Sequence, residues 1–526
     1  MTAMRMLVVF FGLAACSAPD SHHTGVVAPR PAPGTRLVVL LVIDQLPEWA
    51  FAQKRPALTG GGFDRLLAEG DWHVGQHPSA ATLTSPGHAL LGTGEASANS
   101  GILANEWWHR ELGRRLRSVE DEDGKPTTKW LRVPGLGDAL AAGHGGKAIA
   151  VSLKDRAAIL PLGHAGTPIW YDHKTALWQS FAAVPWLDDW NRTHPVSAHL
   201  QDVWTPLDPA RLAQLSGTVD DQPGETGQLG FGPTFPHAAA STKDPADAIF
   251  AMPLGNDLVL DTAIAAIDGE QLGSRDTPDL LVVSLSALDY VGHGWGHESW
   301  EAWDMALRLD QRIGHFLDEL DHKVGAGRWA MIVTSDHGAS PLPERMPRGG
   351  RLHFEAVKDA ANHAAITELG AGEWIADAKY PFVYLTPAAL AQPKKDLDVA
   401  LKKISFALRS FPGIARVERT AAFAGHCEQR TGDARALCNT IDPERAGELI
   451  WVPAAGWIHE DDNEPVATAH GSLNAYDRLV PVIVLAPGRR AHAPLAAPDT
   501  NLFDMTKIAG MLAGWLGVTA PSALPR

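Results

Sequence analysis

Cysteine is nearly absent from this chain: Cys16, Cys427 and Cys438 are the three in 526 residues. Apolar runs of the ~18 residues expected of a membrane-spanning helix are absent too. A basic surplus is also lacking. The formal charge is −16, which argues against nucleic acid as a main partner, because phosphate-backbone contacts need clustered Lys and Arg. The acidity does not exclude an anionic small molecule, since local charge inside a cleft, bound metals included, decides that. No internal repeat is found, and no low-complexity region beyond a short N-terminal stretch.

What is present reads as an ordinary globular protein, with 45% hydrophobic and 20% charged residues. The length can hold one large core with insertions, or two to three domains. Arg5 precedes a short apolar run, Met6 to Leu13, which is too short to cross a bilayer and has the character of a secretory signal. Leu13-Ala14-Ala15-Cys16 resembles a bacterial lipobox, with Cys16 as the lipidated first residue of the mature chain. Residues 1–16 are thus expected to be a lipoprotein signal, and residues 17–35 a tether rich in Ser, His, Pro and Gly. In an exported protein, Cys427 and Cys438 are expected to close a short disulfide loop. With only His426 nearby, a Cys-His metal site there is disfavoured.

Apolar runs at 37–43, 147–152, 280–285, 329–334 and 480–485 are short, rich in Val and Ile, and bounded by polar or Gly-rich segments. They read as buried strands of a parallel sheet. Between them lie helical patterns such as Ser299 to Leu320. The expected fold is therefore α/β, with a central mostly parallel sheet flanked by helices. Two stretches break the rhythm. Residues about 160–250 read as an inserted segment near the site, and residues about 340–465 as a small α+β subdomain with strand-like 380–385 and 415–419 around a helix from about Lys395 to Leu408.

Metal-competent side chains follow several of these strands. Asp44 closes the first. Asp289 and His293 lie just past the third, and Asp336 and His337 follow the fourth. His470 sits in a Thr-Ala-His-Gly turn ahead of the last. Parallel strands carry site residues at their carboxyl ends, so these segments can converge on one edge. Three carboxylates and three imidazoles suit two zinc ions, although ligand type alone leaves manganese, iron or cobalt open. His297, four residues past His293, competes as a ligand and ranks below it, because Asp289 already supplies the partner at the strand end.

A nucleophile is also on hand. Thr84 stands at or near the start of a helix with Pro86 in its first turn. A hydroxyl there faces free backbone N–H groups and the positive end of the helix dipole, a good place for phosphate. Thr82 and Ser85 are fallback nucleophiles on spacing alone. Lys154 and Arg156 follow the strand at 147–152, and two cations at that spacing share one face if the chain stays extended. They can hold the oxygens of a phosphoryl group, with Asp155 pointing away. Asn105 can donate an amide N–H to another oxygen.

The motifs Val42-Ile43-Asp44-Gln45, Thr84-Ser85-Pro86-Gly87-His88, Gly101-Ile102-Leu103-Ala104-Asn105, Ser152-Leu153-Lys154-Asp155-Arg156, Asp289-Tyr290-Val291-Gly292-His293, Ser335-Asp336-His337-Gly338 and Thr468-Ala469-His470-Gly471 follow one another in a familiar order. The chain resembles the alkaline phosphatase superfamily, and within it the PafA-type phosphate-irrepressible alkaline phosphatases, over nearly all of the mature sequence. The resemblance implies an alkaline-phosphatase-like catalytic domain at 36–526. It implies one zinc on Asp289, His293 and His470, and a second on Asp44, Asp336 and His337 that also binds Thr84. It further implies a phosphothreonine intermediate on Thr84, with Asn105, Lys154 and Arg156 binding the phosphoryl group. Phosphodiesterase and nucleotide-pyrophosphatase relatives generally lack the Lys-x-Arg pair, so the pair favours monoesters. No Cys-x-Pro-x-Arg or Ser-x-Pro-x-Arg of the sulfatases is present, nor an obvious third-metal site.

The expectation is thus a bacterial, exported, zinc-dependent phosphomonoesterase, periplasmic or at the cell surface. It would be monomeric, reach the membrane through its lipid anchor alone, and act on small phosphate monoesters. A phosphodiesterase of the same superfamily is the alternative; a non-catalytic zinc- or phosphate-binding surface protein is the remote one.

Overall fold

The computed structural model describes residues 34–143, 145–461, 463–486 and 491–525. The signal segment, Cys16 and most of the tether lie outside the described residues.

Strand Leu37–Ile43 shows why the centre folds as it does. All seven side chains are apolar and fully buried. Successive residues face opposite sides of a strand. Leu37, Val39, Leu41 and Ile43 enter one core, and Val38, Leu40 and Val42 the other. The strand must therefore lie inside a sheet covered on both faces. It is the middle member of a nine-stranded sheet with the order 499–504, 71–76, 479–485, 329–334, 37–43, 279–285, 148–152, 167–172 and 177–179. Helices Pro253–Glu270 and Trp300–Leu320 cover one face, while Thr84–Thr93, Leu136–Ala142 and Lys507–Leu516 cover the other. Trp300–Leu320 starts where its sequence specifies: the Ser299 hydroxyl caps the Ala302 N–H at 3.0 Å. No single helix among the described residues is long and apolar enough to cross a membrane.

Leu37–Ile43 runs parallel to both Asp279–Leu285 and Trp329–Thr334, and Asp279–Leu285 runs parallel to Ala148–Ser152. Strand Leu479–Leu485 departs from the parallel expectation, being antiparallel to Trp329–Thr334 and to Asp71–Gln76. The reason is local. The chain leaves the His470 turn at the carboxyl edge of the parallel strands, so a strand begun nine residues later runs away from that edge.

The stretch at about 160–250 is less foreign to the sheet than its composition suggests. Thr167–Asp172 pairs in parallel with Ala148–Ser152 and Leu177–Gln179 extends the edge, after which short helices and turns follow. Within 340–465, a four-stranded sheet ordered 375–377, 382–385, 449–453, 414–419 packs against Phe354–Leu369 and Lys394–Arg409. Its core, with Val357, Ile404, Leu408, Val417 and Trp451, also takes in Leu83, the residue before Thr84. Cys427 and Cys438 are joined by a disulfide.

Candidate active site

The three central parallel strands end side by side, and their ends carry carboxylates. The Asp44 N–H continues the ladder to the Leu285 carbonyl at 3.0 Å, which leaves its side chain just past the sheet edge. Asp289 lies in helix Ala287–Trp295, and Asp336 and His337 follow Trp329–Thr334 directly. The result is two groups of three: Asp44 with Asp336 and His337, and Asp289 with His293 and His470. In each, the candidate ligand atoms all lie within 4.8 Å of one another. His337 Nε2 is 3.4 Å from both Asp44 Oδ1 and Asp336 Oδ2. Asp289 Oδ1 is 3.3 Å from His293 Nε2 and 3.8 Å from His470 Nε2. The groups adjoin, with the His337 and His470 rings stacked at 3.6 Å.

The donor chemistry of both groups fits metal ions. His293 Nδ1 bonds the Thr468 carbonyl at 2.8 Å, His337 Nδ1 that of Gly338 at 3.0 Å, and His470 Nδ1 that of Thr82 at 2.8 Å. A carbonyl only accepts, so each Nδ1 carries the proton and each Nε2 offers its lone pair inward. Such carbonyl-anchored imidazoles are the usual arrangement of metal-binding histidines. Asp44 Oδ1 and Asp336 Oδ2 are buried acceptors that receive no hydrogen bond from the described residues. His88 Nδ1 is 3.2 Å from Asp336 Oδ2, but it points its proton at the Thr84 carbonyl, 2.9 Å away.

Lys154 lies between the groups, with Nζ 2.6 Å from Asp44 Oδ2 and 2.5 Å from Asp289 Oδ2, over the Tyr290 ring. Burial by itself would lower its pKa, but Asp289 and Asp44 outweigh that and raise it. Burial likewise pushes Asp289 up, and Lys154, His293 and His470 overcome it, so Asp289 is held well below the carboxylate range. Asp44 goes the other way: burial and the neighbouring Asp289 and Asp336 raise it despite Lys154. Three buried carboxylates around one ammonium leave negative charge that further cations would balance.

Thr84 is the first residue of helix Thr84–Thr93, whose ten residues are all buried. Its Oγ1 lies 3.5 Å from His337 Nε2. The helix can sit this close because residue 87 is glycine: a Cβ there would come within 2.3 Å of the Asp336 carbonyl oxygen. The neighbouring hydroxyl is otherwise engaged, since Ser85 Oγ bonds Ser118 Oγ at 2.7 Å. Thr82 supplies its carbonyl to His470. Asn105 Oδ1 accepts the Ser85 N–H at 2.8 Å, so its amide N–H groups are the part left for a ligand. A cavity of about 410 Å³ opens here, lined among others by Asn105, Arg156, His293, His470, Lys379 and Tyr380.

Lys154 and Arg156 are placed differently from each other. The chain turns helical at Asp155, so the two do not share an extended face. Asp155 turns to Arg117 at 2.7 Å. Lys154 is engaged by the two ligand carboxylates. The Arg156 guanidinium instead lines the cavity, with its buried Nε unpartnered and no ion pair among the described residues. His297 is buried beside the second group but bonds Gln45 Oε1 at 2.9 Å. Residue spacing missed Gln45 and His88, both of which sit inside motifs that carried better-known neighbours.

A family model for type I phosphodiesterase/nucleotide pyrophosphatase matches residues 38–473. The chain is 30% identical to alkaline phosphatase PafA of Elizabethkingia meningoseptica, across 94% of this chain and 93% of that protein. The crystal structure of alkaline phosphatase PafA superimposes with a TM-score of 0.82 at 28% identity, covering 95% of this chain and 98% of the other. A variant of that phosphatase changed at one Thr, one Asn, one Lys and one Arg superimposes with a TM-score of 0.81 at 27% identity over the same shares.

Proposed function

The chain belongs to the type I phosphodiesterase/nucleotide pyrophosphatase family and is an alkaline phosphatase of the PafA type, and from that premise we propose that it is an exported enzyme using two zinc ions and a phosphothreonine on Thr84. The observation that carries this reading is the Thr84 hydroxyl, buried at a helix start beside one three-ligand group, with the second group adjoining. Asp44, Asp336 and His337 would hold one zinc and Asp289, His293 and His470 the other. Such a pair lowers the pKa of an oxygen nucleophile and neutralises the departing oxygen.

Thr84 Oγ gives up its hydroxyl proton to solvent and attacks phosphorus, forming the Oγ–P bond while the bond from phosphorus to the alcohol oxygen breaks and that oxygen takes a proton from water. Water then attacks phosphorus, the Oγ–P bond breaks, and inorganic phosphate leaves. The helix N-terminus favours the phosphoryl charge at Thr84. Arg156 and the Asn105 amide hold its terminal oxygens from the cavity side, and Lys154 reaches it with the N–H not directed at Asp44 or Asp289. The same four residue types, in the same chain order, are those changed in the PafA variant. Small phosphate monoesters are the substrates this arrangement suits.

Export as a lipid-anchored, periplasmic or surface protein rests on the N-terminal signal pattern with Cys16, and the Cys427–Cys438 disulfide agrees with an oxidising compartment. The deciding experiment measures mono- and diester turnover, zinc content and acid-trapped phosphoprotein on one preparation. Two zinc per chain, faster monoester turnover, and a phosphothreonine lost with Thr84→Ala are expected. Phosphatase activity surviving Thr84→Ala in zinc-replete protein would refute the assignment.

A further inference from the structure

Gln45 takes no part in either phosphoryl-transfer step, yet it is fully buried between the two ligand groups. Its backbone is in the left-handed region, φ +59°. A residue with a Cβ is uncommon there, and the conformation costs about 1 kcal/mol or more unless the surroundings impose it. Here it aims two separate donors. The Gln45 backbone N–H points at Asp336 Oδ1 at 3.3 Å, in one group. The side-chain amide donates to Asp289 Oδ1 at 2.5 Å and passes 3.2 Å from His293 Nε2, in the other.

The amide is itself held. Its nitrogen faces a carboxylate, which only accepts, so its oxygen must face His297, and His297 Nε2 must carry the proton. Burial holds His297 well below the usual histidine range, in keeping with a neutral ring. The ring stands edge-on to Trp49, and the backbone carbonyl of His297 receives Lys54 Nζ. Gly292 makes room: a Cβ there would sit 1.9 Å from Gln45 Oε1 and 2.8 Å from His297 Nε2. The glycine of Asp289-Tyr290-Val291-Gly292-His293 thus opens the space in which the Gln45–His297 bond forms.

We propose that Gln45 is the positioning residue for the Asp289/His293/His470 group, that His297 locks its amide, and that the pair sets how tightly this group retains its metal. This rests on the two-zinc reading above. His297 is then an anchor rather than a ligand. Orienting partners of this kind typically contribute 10–100-fold in metal affinity.

The test is zinc retention by the full-length enzyme dialysed against graded chelator, read as zinc per chain. Wild type is expected to hold two equivalents. Gln45→Met should lose one of them at roughly 10–100-fold lower chelator strength and keep the other. His297→Leu, which removes the donor, should shift the same equivalent in the same direction. His297→Gln, which can still donate an N–H, should stay near wild type. A folded Gln45→Met with wild-type retention of both equivalents would overturn the proposal. So would loss of an equivalent from His297→Leu as complete as from His293→Ala, since His297 would then be a ligand. If Gln45→Met does not fold, the His297 pair decides: equal retention by the Gln and Leu variants overturns it. Wild type holding fewer than two equivalents would sink the two-zinc reading itself, and this inference with it.

Discussion

Replacing Arg156 by Ala separates substrate recognition from stability better than any other change at this site. The guanidinium lines the cavity and has no hydrogen-bond or ion-pair partner among the described residues. Its removal strands no buried group, so the folding free energy should move by less than about 0.5 kcal/mol. A hydrogen bond to a charged group contributes about 1.5–3 kcal/mol. Losing one from the transition state should lower kcat/KM for an aryl phosphate monoester by roughly 10- to 150-fold, at about 1.4 kcal/mol per factor of ten. A bis-aryl diester, with one terminal oxygen fewer to hold, should lose less than about fivefold. The assay is kcat/KM for both esters, with zinc content and denaturant midpoint measured on each sample. Equal losses on the two esters would remove Arg156 as the discriminator, and a large fall in midpoint would show an unrecognised structural partner.

Lys154→Met should behave oppositely. Its ammonium is 1% exposed and bridges two ligand carboxylates, and breaking a buried pair of this kind costs about 3–5 kcal/mol; an unchanged midpoint at matched zinc content would refute the bridge. Glu301→Gln should stabilise the protein increasingly toward alkaline pH. Burial pushes the Glu301 carboxyl up to about 10 from 4.5, beside a His237 pushed down to about 4. Above about pH 4.5 the folded chain keeps a proton the unfolded chain has released, so stability falls as pH rises toward about 10. Urea midpoints at pH 6, 8 and 9.5 should show a gap over wild type that widens with pH, and a constant gap would refute it. Cys16→Ser should move the protein from the membrane to the soluble fraction; continued retention would count against lipidation.

The strands were legible because burial on both faces leaves no choice of residue. Leu37–Ile43 is apolar at every position for that reason, and Asp44 is conspicuous because it ends such a run. Asp336 and His337 stood out on the same ground, since a carboxylate or imidazole that ends a buried apolar strand must be paired. Asp289, His293 and His470 instead lie in a helix past one strand and a turn before another, and were legible through their motifs. Strand direction was not legible, because an apolar run reads the same in either sense. Leu479–Leu485 needed the position of the His470 turn to orient it. Nor did spacing distinguish Lys154 from Arg156. The helix that starts at Asp155 separates them, and the carboxylates that Lys154 meets, Asp44 and Asp289, lie more than 100 residues away. Gln45 was hidden for a further reason. Its role comes from a left-handed backbone and from the space left by Gly292, and neither has a periodic signature.

The separation of Lys154 from Arg156 bears on how an acidic protein draws in a doubly charged ester. Arg117, Arg156 and Lys379 line the cavity. Arg117 is paired with Asp155 at 2.7 Å and Lys379 with Glu106 at 2.6 Å, so their long-range fields are largely cancelled. Lys154, deeper in, has its charge offset by Asp44 and Asp289. Among the described residues, that leaves Arg156 as the uncompensated positive group facing the cavity, against a formal total of −16. The side chains alone therefore attract weakly at a distance. The two zinc ions of the proposed site, largely offset by Asp44, Asp289 and Asp336, would act mainly at short range inside the cavity, where salt screens less than at an open surface. The association of a monoester should then depend only shallowly on ionic strength. A kcat/KM that fell steeply between low and physiological salt would mean that steering cations beyond these act on the substrate.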